Sequence, residues 1–354
     1  MQNHCTVVIA FLLGTAALRG AESPLSRIAF GSCAKENNPQ PIWDAIIAQQ
    51  PELFLFIGDN IYGDSREVEI LKSKWDQLGA QPGYAKLRQT CRILATWDDH
   101  DYGWNDAGAE YPLKRESQQL FLDFFDEPKD SMRRKQEGIY DSKLFGPEGK
   151  RVQIILLDTR YHRSRLNKAR NLNERGEGIG GPYVPNDNPH ATMLGPAQWM
   201  WLEKQLRIPA RLRIIASSIQ VISNEHRWEK WGNLPRERER LLKMIRKTRA
   251  NGVIIISGDR HTAEVSKLAS GLAYPLYDVT SSSLNQRHRW RSELNPNRIG
   301  GMYYDENFGT IMIDWKPEDP VIRLQIRDMK GQVVIQVRHR LSDLQPRKSS
   351  PRKE

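Results

Sequence analysis

The chain alternates short, continuous apolar runs that end on polar residues with stretches of helical spacing. Six runs have this form: "RIAFGSC" (27–33), "LFLFIGDN" (53–60), "RILATWDDH" (92–100), "VQIILLDTR" (152–160), "RIIASS" (213–218) and "GVIIISGDRH" (252–261). Their length and β-branched content predict strands. Between them, "PIWDAII" (41–47) places Trp43, Ile46 and Ile47 on one helical face, and Pro51 stops it. Residues 67–89 read as helix interrupted around "GAQPG", and "KRESQQLFLDFF" (114–125) and "PRERERLLKMIRK" (235–247) as helices. "PAQWMWLEKQL" (196–206) opens with Pro196, a residue suited to the first helical position. Near the C-terminus, "TIMIDW" (310–315) and "VIRLQIRDMKGQVVIQVRHRL" (321–341) alternate, with "DMKG" as the turn between two strands. Residues 163–195, rich in Gly, Asn, Pro and Arg, read as one long loop, a length usually reserved for function or disorder.

Strands that are apolar on both faces need helices on both faces. The expected fold is therefore α/β, and the alternating C-terminal strands add an antiparallel edge that makes the sheet mixed. In such folds ligands bind beyond the strand C-termini. Cys33, Asp59, Asp98–Asp99–His100, Asp158, Ser217–Ser218, Asp259 and His261 all come directly after strands, so a shared rim is expected.

Composition narrows the picture. The 354 residues are 39% hydrophobic and include ten tryptophans, enough for a large core and against disorder. Residues 6–18, "TVVIAFLLGTAAL", are too short to span a bilayer well and match the apolar core of a secretory signal. The expected layout is a signal peptide at 1–22, one domain at 23–340 and a basic flexible tail at 341–354, in a secreted or periplasmic protein. Cys5 falls in the leader. Cys33 and Cys91 remain, too few for a disulfide framework, although export permits one bridge between them. Net charge is +10, and residues 338–354 carry six basic against two acidic residues. A solvated end is the plainer reading; contact with an anionic surface is the functional one. There is no aromatic platform for nucleic acid, so neither a nucleic-acid partner nor a protein partner is inferred. No Walker-type loop or G-x-S-x-G elbow occurs, and "GEGIGG" (176–181) lacks a strand–turn–helix setting.

The rim is instead an inventory of metal ligands: carboxylates, histidines, a thiol and a phenol. Asp59 and Tyr62, three apart past a strand, can be aimed at one ion by a tight turn. Asp259 and His261, two apart, face the same way if the segment is extended. In "TWDDHDYGWND" (96–106), Asp98, Asp99, Asp101 and Asp106 crowd His100, and packed anions demand a positive partner.

In order, "FGSC", "GDNIY", "WDDHD", "LDTRYHR", "LGPAQWMWLEKQL" and "SGDRH" resemble the alkaline phosphatase D (PhoD-like) metallophosphatases, within the calcineurin-like metallophosphoesterases. The resemblance covers roughly residues 27–315. It implies an αββα sandwich with two central mixed sheets flanked by helices, and hydrolysis of phosphate monoesters or diesters. By motif, Cys33, Tyr62 and His261 would ligate Fe³⁺, and Asp59 would bridge it to one or more further ions, Ca²⁺ or another divalent metal. Asp99 and Asp259 would hold the second metal; Asp98 is the alternative to Asp99, whose place directly before the histidine favours it. His100 would protonate the leaving group. Asn60, Asp98, Asp101, Asp158 and Arg160 would support the ligands or substrate, with a purely structural role equally open for Asp158 and Arg160. Where the wider superfamily has D-x-H and G-H-x-H, this chain has "GSC" and "GDRH". The middle histidine is also missing: "ASSIQ" (216–220) occupies its region, with His226 beyond. The substrate expected is a phosphate ester. The rivals are a phosphodiesterase specific for phospholipid or nucleic acid, and a catalytically silent secreted metal-binding module. The loop 163–195 and Trp104, Trp228 and Trp231 are candidates for shaping substrate choice.

Overall fold

A computed structural model describes residues 23–171, 180–288 and 293–346. The expected signal peptide and residues 347–354 of the expected tail lie outside the described residues. Two mixed sheets pack face to face. The first runs β15 (Val333–Arg340), β14 (Val321–Asp328), β13 (Asn307–Asp314), β1 (Arg27–Gly31), β2 (Leu53–Ile57), β3 (Arg92–Thr96). The second runs β12 (Arg298–Tyr303), β10 (Ala263–Leu268), β11 (Leu276–Ser281), β9 (Val253–Ser257), β8 (Leu212–Ala216), β5 (Val152–Leu156), β4 (Asp141–Phe145). In the first sheet β1, β2 and β3 are parallel; in the second, β5, β8, β9 and β11 are. The antiparallel additions lie toward the edges, β13–β15 in one sheet and β4, β10 and β12 in the other.

β2 shows why its run has no polar position. Leu53, Leu55 and Ile57 enter the core between the sheets, while Phe54 and Phe56 face a second core under the helices. That second core packs α1 (Ile42–Ala48), α2 (Val68–Gly79), α3 (Pro82–Thr90) and α5 (Lys114–Phe124), with Trp43, Trp75 and Tyr84 buried in it. α4 (Asp99–Tyr102) is a single turn. On the other sheet, Trp199, Leu202 and Leu206 of α6 (Gly195–Leu206) and Leu241 and Ile245 of α7 (Pro235–Thr248) belong to an apolar cluster continuous with the core between the sheets. Pro196 falls one residue inside α6, within the first turn, where it forfeits no helical hydrogen bond.

The expected α/β layout and antiparallel edge hold. β4 and β10–β12 were not evident from the apolar pattern: β10 and β11 mix in polar residues that the sheet buries, such as Glu264, Ser266, Asp278 and Thr280, while β4 and β12 are largely half-buried or exposed. The loop 163–195 contains a small ladder, β6 (Asn167–Lys168) with β7 (Tyr183–Val184). Residues 341–344, allotted to the tail, form a 3₁₀ turn with Leu341 and Leu344 buried. No helix among the described residues is long and apolar enough to cross a membrane.

Gly309 of β13 pairs with Phe30 of β1, and a Cβ there would lie 2.1–2.5 Å from the Phe30 ring. Gly309→Ala should therefore lower stability by about 1–3 kcal/mol through overpacking. Gly301→Ala on β12 meets nothing within 4 Å and should change it by less than about 0.5 kcal/mol. Urea midpoints check both; an unshifted midpoint for Gly309→Ala would contradict this packing.

Candidate metal centre

The loops after β1, β2, β3, β5, β8, β9 and β11 meet at one end of the sandwich. Gly58, after β2, has φ +108°, and a Cβ on it would lie 2.5 Å from Cβ of Asp98. Only glycine lets the two loops approach this closely. Across the gap between the sheets, the Thr96 hydroxyl donates to the Leu157 carbonyl at 2.6 Å, and Ser218 Oγ donates to Asp98 Oδ1 at 2.5 Å.

Four donors meet in a first set. Cys33 Sγ lies 3.3 Å from Asp59 Oδ2, Tyr62 Oη lies 3.4 Å from the same oxygen, and Tyr62 Oη lies 3.2 Å from His261 Nε2. Ser282 Oγ braces the set, 3.2 Å from Cys33 Sγ and accepting the His261 N–H at 2.8 Å. Cys33, Asp59, Asp259 and His261 have φ of 61°, 49°, 67° and 53°. Non-glycine residues rarely adopt this left-handed region, and such strain concentrates at functional sites. Asp64 (45°) and Asp106 (57°) share it. The 259–261 segment is thus not extended: left-handed backbone at both Asp259 and His261, rather than strand alternation, turns them inward, while Arg260 between them pairs with Glu293 at 2.6 Å.

A second set is all carboxylate. Oxygens of Asp59, Asp98, Asp99 and Asp259 lie within 4.8 Å of one another, so Asp59 belongs to both sets. Asp98 and Asp99 diverge because α4 begins between them and helical residues fan out by about 100°. Asp98 Oδ1 accepts from Arg160 Nε at 2.6 Å, from Arg160 Nη2 and from Ser218, while its Oδ2 is buried without a partner. Asp99 accepts the N–H of His100 at 3.0 Å and of Asp106 at 2.5 Å. Both remain candidates for the second ion.

A ring nitrogen of His100 lies within 4.8 Å of Asp59 and Asp99 oxygens. Its Nδ1 is 2.8 and 2.9 Å from the two Asp64 oxygens, and its ring lies 4.4 Å from that of Tyr62. Asp101 faces away from both sets. Its Oδ1 accepts the N–H groups of Asn60 (2.6 Å) and Ile61 (3.0 Å), its Oδ2 that of Asp98 (2.8 Å), stitching the β2 loop to α4. Asp158 similarly accepts from the N–H groups of Ile139, Arg160 and Tyr161 at 2.8–2.9 Å. Asn60 donates to the Thr96 carbonyl at 3.1 Å, and its Oδ1 is buried unpartnered.

Protein groups alone leave most of these donors protonated. Burial, with neighbouring acids adding to it, pushes the Cys33 thiol up to about 11 and holds Asp59, Tyr62 and Asp259 well above their ordinary ranges. Burial also raises Asp98, to about 7, although the Arg160 guanidinium opposes it. Of the four carboxylates Asp99 alone is lowered: burial acts against it, but His100 and Arg160 outweigh that; burial also lowers the His261 imidazole, to about 3. Burial would lower His100, yet Asp99, Asp59 and Asp64 raise it to about 11. Asp59 Oδ1, Asp98 Oδ2 and His261 Nδ1 are buried without partners. Unpaired buried acceptors are costly, and a cation among them removes the cost and reverses the shifts. The donor sets therefore fit metal ions.

Several contributors carried no motif. Glu229 is buried between Arg160 (2.6 Å) and Arg163 (3.1 Å), reached only through a long loop after β8. Asp64, Ser282 and the His288 ring, stacked 4.3 Å from that of His261, were also missed. Ser218 stands where the middle histidine was sought; His226 is buried elsewhere, its Nε2 2.9 Å from Gln220 Oε1. Cys33 and Cys91 are both free thiols, in different settings: Cys33 in the rim, Cys91 packed under the helices. Trp231 is core, not rim.

A profile of the PhoD-like phosphatase family matches residues 28–341. Alkaline phosphatase D of Bacillus subtilis (strain 168) is 24% identical over 296 residues, covering 70% of this chain and 48% of the relative. The chain thus spans about half the length of that curated relative. A solved structure of PhoD superposes with a TM-score of 0.67 at 18% identity, covering 91% of this chain and 69% of the other. A purple acid phosphatase from yellow lupin (Lupinus luteus) seeds gives 0.61 at 16% identity, covering 90% and 54%. These two likenesses show a common sandwich fold. With the profile running from within β1 to the end of β15, the chain belongs to the PhoD-like phosphatase family.

Proposed function

We propose that the chain is an exported hydrolase of phosphate esters that works with two or more metal ions sharing Asp59. The observation that carries this reading is the membership of Asp59 in two donor sets of different chemistry. Cys33, Tyr62 and His261 with Asp59 offer thiolate, phenolate, imidazole and carboxylate, a set suited to Fe³⁺. Asp59, Asp259 and Asp99 or Asp98 offer only oxygen, which suits Ca²⁺ or another hard divalent ion. Bound ions of this kind lower the pKa of water and neutralise charge building on a phosphoryl group.

The protein's own part is to hold these donors in place and to manage one proton. Arg160 and Ser218 fix one Asp98 oxygen and leave the other open. His100 is held at Nδ1 by Asp64, so Nε2 is the nitrogen left to give a proton to the departing alkoxide. The Tyr62 ring, tilted by 34° and packed 4.4 Å away, limits rotation of the His100 ring.

His100→Asn should slow esters of poor leaving groups by on the order of 10²–10⁴-fold, and those of good leaving groups far less, because a good leaving group departs without a proton. Equal losses across a leaving-group series would remove the general-acid role and make His100 a ligand or a structural residue. Export rests on the apolar run at 6–18. N-terminal sequencing of the exported protein should find a start near residues 20–24; residues 1–19 intact on that form would contradict cleavage.

A further inference from the structure

A cavity of about 1040 Å³ opens beside the centre, between the loop after α4 and the β6–β7 ladder. Asp106 is shared between the two. Its backbone N–H donates to Asp99 Oδ2 at 2.5 Å, and its own Oδ2 accepts from Tyr183 Oη at 2.5 Å, with Asp106 and Tyr183 both lining the cavity. One residue therefore separates the cavity from the carboxylate cluster.

The cavity's charge is one-sided. Arg165, Lys168, Arg170 and Arg227 line it against Asp106 and Glu110. The arginines around the carboxylate cluster are paired: Arg160 and Arg163 with Glu229, Arg260 with Glu293, Arg298 with Glu264. Arg165, Lys168 and Arg227 enter no ion pair among the described residues, and Arg227 Nε is buried without a hydrogen-bond partner. Unmatched guanidinium and ammonium groups facing one space are the arrangement that binds multi-oxygen anions. The volume is at the upper end for ligand sites, room for a chain rather than a single ion.

We propose that this cavity is a subsite for a second phosphoryl-type dianion on the substrate, joined by a short tether to the phosphoester at the centre. This rests on the hydrolase reading and deepens it: the preferred substrates are those in which the part beyond the scissile ester is itself anionic. Arg165, Lys168 and Arg227 hold that second group and set specificity through binding. They take no part in the bond cleavage.

The test uses the metal-loaded full chain and non-hydrolysable probes. Alkane bisphosphonates with tethers of about three to eight carbons are compared by titration calorimetry with hydroxyalkyl monophosphonates of the same lengths. At its best length the bisphosphonate should bind about tenfold tighter or more, as expected for charge-assisted bonds at one added site. Arg165→Ala/Lys168→Ala/Arg227→Ala should abolish that advantage and leave the monophosphonate unchanged. Lys168→Ala alone, at an exposed position, should reduce it if the triple variant does not fold. Lys316→Ala, a distant exposed cation, controls for attraction by the net charge of +10. With nitrophenyl phosphodiesters whose second arm ends in phosphonate or hydroxyl, the subsite variants should raise KM only for the phosphonate-ended ester. Equal affinity for the two probe classes, with the monophosphonate binding and the esters reacting, overturns the subsite and spares the hydrolase. An advantage that falls equally in Lys316→Ala also overturns it. No monophosphonate binding together with no turnover of either ester overturns the hydrolase reading and this inference with it.

Discussion

The structure depends on burying carboxylates where two sheets meet. Asp59 is 1% exposed, and Asp98, Asp99 and Asp259 stand within 4.8 Å of it. Such a cluster repels itself and resists desolvation unless cations join it. The surroundings are built to hold it nonetheless. Gly58 gives up a side chain so that the β2 loop can touch the β3 loop, and four rim residues adopt left-handed backbone at a cost of order 1–3 kcal/mol each. Metal binding would then be coupled to folding, because ions would stabilise only the chain that has assembled both donor sets.

One cation comes from the protein itself. Arg160 joins Asp98 to Glu229, and Glu229 is shared with Arg163. With Ser218 and Thr96 these contacts cross from one sheet to the other, so the geometry of the centre is fixed by the packing of the sandwich rather than by any one loop. A buried ion network of this kind adds little net stability but defines orientation, which a metal centre needs.

Much of this was legible in the sequence for a physical reason. Strands covered on both faces have few polar positions, so β1, β2, β5, β8 and β9 stand out as mainly apolar runs, and the residues just past the parallel runs must lie at one end of the sandwich. That pattern placed Cys33, Asp59, Asp99, Asp259 and His261 on one rim, the family resemblance singled them out with Tyr62 as ligands, and the six do come together. The pattern could not give the direction in which each is turned. The inward aim of Asp259 and His261 comes from φ values of 67° and 53°, not from strand alternation. Asp101 reads like its acidic neighbours yet spends both oxygens on backbone N–H groups. Glu229 and Asp64 belong to no run, and only tertiary packing brings them to Arg160 and His100. β10 and β11 escaped because they bury polar residues inside the sheet, and β4 and β12 because they are largely half-buried or exposed.

Metal content measured by elemental analysis tests the central claim most directly, on the native chain and on Asp59→Asn and Cys33→Ser. The native chain should hold a trivalent-type ion such as iron together with a hard divalent ion. Cys33→Ser should lose the first and keep the second, while Asp59→Asn, which alters the one carboxylate common to both sets, should deplete both. Full occupancy of both ions in Asp59→Asn, with the fold intact, would contradict the shared-carboxylate centre.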